Sequence, residues 1–125
     1  MDLSLPSLFA IALSLASCTS TSSGASCPPS DVPTYASFAR PFFAAYCTGC
    51  HSRDARDRHG APPDQDFDTE AEIRVHAAEI DAEAAAGPDA RNTDMPDMSG
   101  PVRMAPTMRE RQQLGQFLAC ETPSH

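Results

Sequence analysis

Apolar residues recur with helical period in three stretches of the chain, and nowhere with the two-residue period of a strand. In the first, Phe38, Phe42, Phe43 and Tyr46 lie near helical spacing and make an aromatic face. Pro41 suits the first helical turn, where its missing N–H costs nothing. A helix is therefore predicted over about Pro41–Cys50, with a preceding helical turn around Tyr35. The second stretch opens with Thr69 and Glu72, a capping box, and carries the narrow stripe Ile73, Ala77, Ile80, Ala84. Gly87-Pro88 supplies its stop. The third opens with Thr107 and Glu110, another capping box, carries Leu114, Phe117 and Leu118, and ends near Cys120. Gly115 on that helix would admit a second helix at close range. The chain is thus expected to be all-α.

Two connecting segments are polar and broken. Residues 53–67, RDARDRHGAPPDQDF, form a charged loop. Residues 88–106, PDARNTDMPDMSGPVRMAP, hold four prolines and three methionines with no sustained period. A structureless connection of that length inside a small domain is commonly functional.

The N-terminus has a different character. Leu3 to Ala16 is an apolar run too short to span a bilayer, so residues 1–17 read as a signal peptide. It ends in Leu15-Ala16-Ser17-Cys18, which resembles the lipobox of bacterial lipoproteins, where the cysteine is lipidated and becomes the new N-terminus. The other reading is an ordinary cleaved signal. Residues 18–30, Ser/Thr-rich, are expected to be a flexible tether, and residues 31–125 the folded domain.

Composition sharpens this picture. The whole chain carries 17 acids against 9 basic residues, all of the latter arginine, for a net charge of -8. Such a surface is not that of a nucleic-acid binder; it suits partners with basic docking faces. After Cys18 the large aliphatics and phenylalanines are only Val32, Val75, Val102, Ile73, Ile80, Leu114, Leu118 and five Phe. That is below the roughly 20% at which a charged chain is expected to fold on its own apolar content. Well-marked helices with so little core imply a staple or a large cofactor.

The stretch AAYCTGCHS contains Cys47, Cys50 and His51 as Cys-x-x-Cys-His. Three chemistries use such a pattern. Zinc needs a second ligand pair, and His59, His76 and His125 stand singly. A redox dithiol of thioredoxin type needs a preceding strand, and no strand is predicted. Covalent haem needs two thiols one helical turn apart to reach the vinyl groups, and a histidine next to them for the iron; all three are present.

At these residues the chain resembles the small class I (mono-haem) cytochromes c, and in particular the lipoprotein-type cytochrome domains of Gram-negative bacteria. The resemblance rests on PFFAAYCTGCHS, GAP, FDT and LGQFLAC, and runs from Asp31 to Cys120. It implies a cytochrome c fold, with three main helices and long loops wrapped around one covalently bound haem. It further implies an exported, membrane-tethered carrier of single electrons on the periplasmic side, with Cys47 and Cys50 as thioether cysteines and His51 as axial ligand. A monomer is expected, and no catalytic residue.

The same family takes its sixth iron ligand from a methionine before the last helix. Met95, in Asn92-Thr93-Asp94-Met95-Pro96, is the favoured match; Met98 and Met104 follow, and Met108 is better explained by packing. His76, on the inward stripe, is a rival that would give bis-histidine ligation. A proline carbonyl after the motif takes the proton of the axial histidine in the family, and Pro62 matches, with Pro63 adjacent. Tyr46 and Arg53 could reach haem propionates. Because the first and last helices of the family pack together, a Cys27–Cys120 disulfide is implied. Two other functions compete: a haem-based sensor with bis-histidine or open sixth coordination, and a disulfide-stapled lipoprotein without haem.

Overall fold

Three threonines start the helices. The computed structural model describes residues 21–120, so the signal peptide, Cys18 and His125 lie outside the described residues. Thr34, Thr69 and Thr107 each accept from the backbone N–H three residues on, while Ser37, Glu72 and Glu110 reach back to the cap N–H. From Thr34 a π-helical turn, Tyr35–Ala39, runs directly into α1, Arg40–Tyr46. From Thr69 come α2, Glu70–Val75, and α3, Ala77–Ala84; from Thr107 comes α4, Met108–Ala119. Among the described residues the extended structure is limited to one isolated bridge, Ala86 with Arg91. The architecture is all-α.

Three boundaries differ from the sequence expectation. α1 stops at Tyr46 rather than Cys50, because Cys47 leaves helical geometry at φ -123° and residues 47–50 close a turn of their own. Thr48 and Gly49, both poor helix formers, allow it. The second predicted helix is divided at His76, whose φ of -104° and ψ of 19° interrupt the α-helical ladder. Its ring is held by the Asp64 carbonyl and by Glu79, a tertiary pull that local pattern cannot reveal. α3 then ends at Ala84, before Gly87-Pro88, since Ala85 and Ala86 run extended against α4, with the Ala86 N–H donating to the Arg111 carbonyl at 3.0 Å.

The core is small and aromatic. Phe42 and Phe43 of α1 meet Phe67 from the loop, Ile73 and Ile80 from α2 and α3, and Leu114 and Phe117 from α4. Adjacent rings contact edge to face, Phe42 with Tyr46 at 4.9 Å and Phe43 with Phe67 at 5.8 Å between centroids. Arg74 reaches over the Phe117 ring at 4.0 Å and donates to the Phe117 and Cys120 carbonyls, both at 2.8 Å, so a cation closes the C-terminal end of α4.

The expected tether is docked from Thr21 onward, its carbonyl accepting from the Asn92 side-chain amide at 2.8 Å, which moves the start of the packed unit ahead of Asp31. The Ser23 hydroxyl and backbone N–H both donate to the Asp81 carboxylate, at 2.5 and 2.7 Å. The Ser23 carbonyl accepts from the Asp89 N–H at 2.9 Å. Gly115 is explained by the same segment: a Cβ there would stand 2.7 Å from the Ala25 methyl and 3.0 Å from the Ala86 carbonyl oxygen. Two extended segments make the close approach, where a helix was expected.

Cys27 and Cys120 form a disulfide with 4.7 Å between their Cα atoms, as the resemblance implied. It closes a loop of 93 residues and ties the docked N-terminal segment to the end of α4. Replacing both cysteines by serine should lower unfolding free energy by on the order of 4 kcal/mol, measured by urea titration of oxidised wild type against the double variant. Equal midpoints would show that the cross-link does not restrain the unfolded chain.

Candidate functional site

Residues 47–51 make a tight turn, with the Cys50 and His51 N–H groups both donating to the Cys47 carbonyl, at 3.2 and 2.9 Å. A Cβ on Gly49 would meet the Pro101 ring at 2.9 Å, and one on Gly100 would lie 3.6 Å from the Cys50 sulfur. The methionine- and proline-rich loop before α4 therefore folds back over the motif. Between them lies a cavity of about 340 Å³, within the range of ligand sites. Cys47, Cys50, His51 and Met95 all line it. Phe43, Phe67, Ile80 and Val102 form much of its apolar wall, while Glu79, Glu83 and Asp97 supply acids.

His51 is held on three sides. Its Nδ1 lies 2.9 Å from the Gln65 carbonyl oxygen, its ring stacks on Phe67 at 4.6 Å, and its own carbonyl accepts from the Phe67 N–H at 2.9 Å. A carbonyl can only accept, so Nδ1 carries the proton and Nε2 presents its lone pair, with no protein partner among the described residues. Burial pulls the imidazole below the usual histidine range, against the opposing effect of the Gln65 hydrogen bond. A neutral, oriented imidazole with a free Nε2 is a metal-binding group.

The partner carbonyl is a correction. Pro62 lines the cavity, but its carbonyl accepts from Arg58 Nη2 at 2.6 Å and from the Gln65 N–H at 3.1 Å. The turn from Pro62 to Gln65 swings the chain so that the carbonyl three residues later faces His51. Arg58, which nothing in the charged loop singled out, organises that turn. Its guanidinium donates to the Ser52, Ala61, Pro62 and Gln65 carbonyls and pairs with Asp66 at 2.6 Å.

Of the loop methionines, only Met95 lines the cavity among the described residues. All four are partly open to solvent, Met95 at 38% and Met108 at 37%, with Met98 and Met104 further out at 49% and 71%. Both main-chain groups of Met95 are engaged: its N–H donates to the Glu83 carbonyl at 2.9 Å, and its carbonyl accepts from Arg111 at 2.8 Å. Arg111, on α4 and 3% exposed, also escaped the sequence reading.

Other expected residues are engaged elsewhere. His76 places Nε2 3.0 Å from the Asp64 carbonyl and Nδ1 3.3 Å from Glu79, so both ring nitrogens have partners. The Tyr46 hydroxyl donates to Glu110 at 3.0 Å, and Arg53 pairs with Glu72 and Asp68. His59 is exposed, its side chain 38% accessible, and it borders the cavity beside Cys50.

Cys47 and Cys50 are unpaired. Burial pushes the Cys47 thiol up to about 12, and burial followed by Asp57 and Asp97 pushes the Cys50 thiol up as well. A thiol activated for disulfide exchange needs the opposite shift. Among the described residues no group of three or more His, Cys, Asp or Glu could hold a metal ion, so a zinc centre of protein ligands is not assembled. No family model, curated protein or solved structure matches the chain.

Replacing Arg58 by Ala strips charged donors from four carbonyls at once and frees the turn that aims Gln65. The expected loss is on the order of 2 kcal/mol in urea unfolding, with the His51 Nδ1 proton signal shifted in NMR spectra. An unchanged midpoint and signal would show that the loop holds its shape without the guanidinium.

Proposed function

We propose that this chain is a small mono-haem cytochrome c of class I type that carries single electrons, exported and held on the periplasmic side of a bacterial membrane through lipid on Cys18. The observation that carries the reading is the convergence of Cys47, Cys50, His51 and Met95, from two distant segments, on one apolar cavity. Their chemistry fits the group. The unpaired Cys47 and Cys50 would hold the group as thioethers, each S–H adding across a vinyl C=C with nothing leaving, and the free Nε2 of His51 and the thioether of Met95 would bind its iron. Haem supplies the one-electron couple when bound; the chain supplies ligands, orientation and exclusion of water.

The cavity walls support this division of roles. Phe43, Phe67 and Ile80 are buried and keep water from the His51 side. Gln65 holds the Nδ1 proton of His51 so that Nε2 stays available, and Met95 is presented from the loop before α4. Occupation of the cavity would also add apolar contacts to a core poor in large side chains. The acidic surface, net -8 over the chain, suits redox partners with basic docking faces. A bis-histidine centre has less support, because both nitrogens of His76 are bound within the protein.

Protein made with a cytochrome c maturation system should show an alkaline pyridine haemochrome spectrum of thioether-linked haem, and the mass of one haem retained after denaturation. Absence of covalent haem in correctly exported protein would sink the reading and leave a disulfide-stapled lipoprotein. In the oxidised protein the far-red charge-transfer band of His/Met ligation should vanish in Met95→Ala, with a fall in potential and rapid carbon monoxide binding on reduction. Rapid, stoichiometric carbon monoxide binding by the wild type at neutral pH would instead favour a ligand sensor.

A further inference from the structure

Met95 differs from Met98 and Met104 in more than position. The segment Asn92–Met95 is lashed to the end of α3: the Asn92 N–H donates to the Ala85 carbonyl at 2.9 Å, the Asn92 side-chain amide to the Asp81 carbonyl at 2.9 Å, and the Met95 N–H to the Glu83 carbonyl at 2.9 Å. From the opposite side, a single nitrogen of Arg111, Nη1, is shared by the carbonyls of Ala84, Asn92 and Met95, at 2.8, 3.0 and 2.8 Å. Past Pro96 the loop is held differently. Among the described residues the Ser99 and Gly100 N–H groups bond within a local turn on Asp97, and Met98 and Met104, at 49% and 71%, stand further into solvent than Met95 at 38%.

Arg111 lies 3% exposed in the core, and its hydrogen bonds run to main-chain carbonyls. Burying a guanidinium is costly unless its donors are used, and here Nη1 is used on three carbonyls, one at the end of α3 and two on the segment that presents Met95. A ligand side chain on fixed backbone loses less conformational freedom on binding than one on a loose loop.

We infer that Arg111 is the positioning residue that selects Met95 as the sixth ligand of the haem iron and holds it there against outside ligands. This rests on the cytochrome reading. α4, which carries no ligand itself, thereby sets the strength of the iron–methionine bond from behind the loop.

The test uses the full-length holoprotein and imidazole as the competing ligand. Arg111→Met keeps length and apolar stem but removes every donor. It should leave covalent haem content unchanged, bind imidazole at least ~10-fold more tightly in the oxidised state, and lose the far-red band at lower pH than wild type. Arg111→Lys, which keeps the charge and three donors on one nitrogen, should recover most of that difference. Wild-type imidazole affinity and band in Arg111→Met would overturn the inference. Should that variant yield no folded holoprotein, amide exchange in the wild type decides. The Met95 N–H must then exchange at least ~10-fold more slowly than those of Met98 and Met104, and equal rates overturn the inference. Missing haem in the wild type, or a far-red band untouched by Met95→Ala, would refute the cytochrome reading instead, so the two failures are told apart.

Discussion

The Phe67 ring joins the core to the site. One face covers the His51 imidazole, nearly parallel at 19°, while Phe43 meets it edge to face and His76 approaches from the α2–α3 break. Its backbone N–H also donates to the His51 carbonyl. Burial of a phenylalanine contributes roughly 2–3 kcal/mol to folding, and in this chain the same burial orients the one histidine that the CTGCH turn offers. The aromatic cluster and the histidine are therefore a single packing problem, solved once.

Arginine does much of the work that a larger core would otherwise do. Arg58, Arg74 and Arg111 each send donors to backbone carbonyls: Arg58 into the loop beneath His51, Arg74 onto the end of α4, Arg111 onto the loop of Met95. A planar guanidinium with five donors can gather several carbonyls in one place, which a lysine ammonium does over a shorter reach. The chain has no lysine. Each of these cations thus reinforces one irregular segment or helix end, and Arg58 and Arg111 brace the two sides of the cavity.

Legibility followed the range of the interaction. The capping boxes at Thr69 and Thr107 are contacts over three residues, and both stand where the pattern placed them. The CTGCH turn is equally local, yet its aromatic lead-in read as helix through Cys50, and the helix ends at Tyr46. The division at His76 was invisible because its cause, the Asp64 carbonyl, lies 12 residues away. Pro62 was a sound guess at the wrong carbonyl, since a single turn after it hands the role to Gln65. Ser23 looked like linker by composition, yet one carboxylate on α3 is enough to dock it.

The order of residues by itself determined the helical class, the start of each main helix, and the pairing of two thiols with an adjacent histidine. Each of these depends on neighbours within one or two turns, or on residue type alone. Which carbonyl would face His51, which methionine would be backed by a buried cation, and where the packed unit would begin were decided by the tertiary structure. Those choices depend on hydrogen bonds between segments 11 to 58 residues apart. No periodicity encodes such bonds; they exist only once the aromatic core has drawn the segments together.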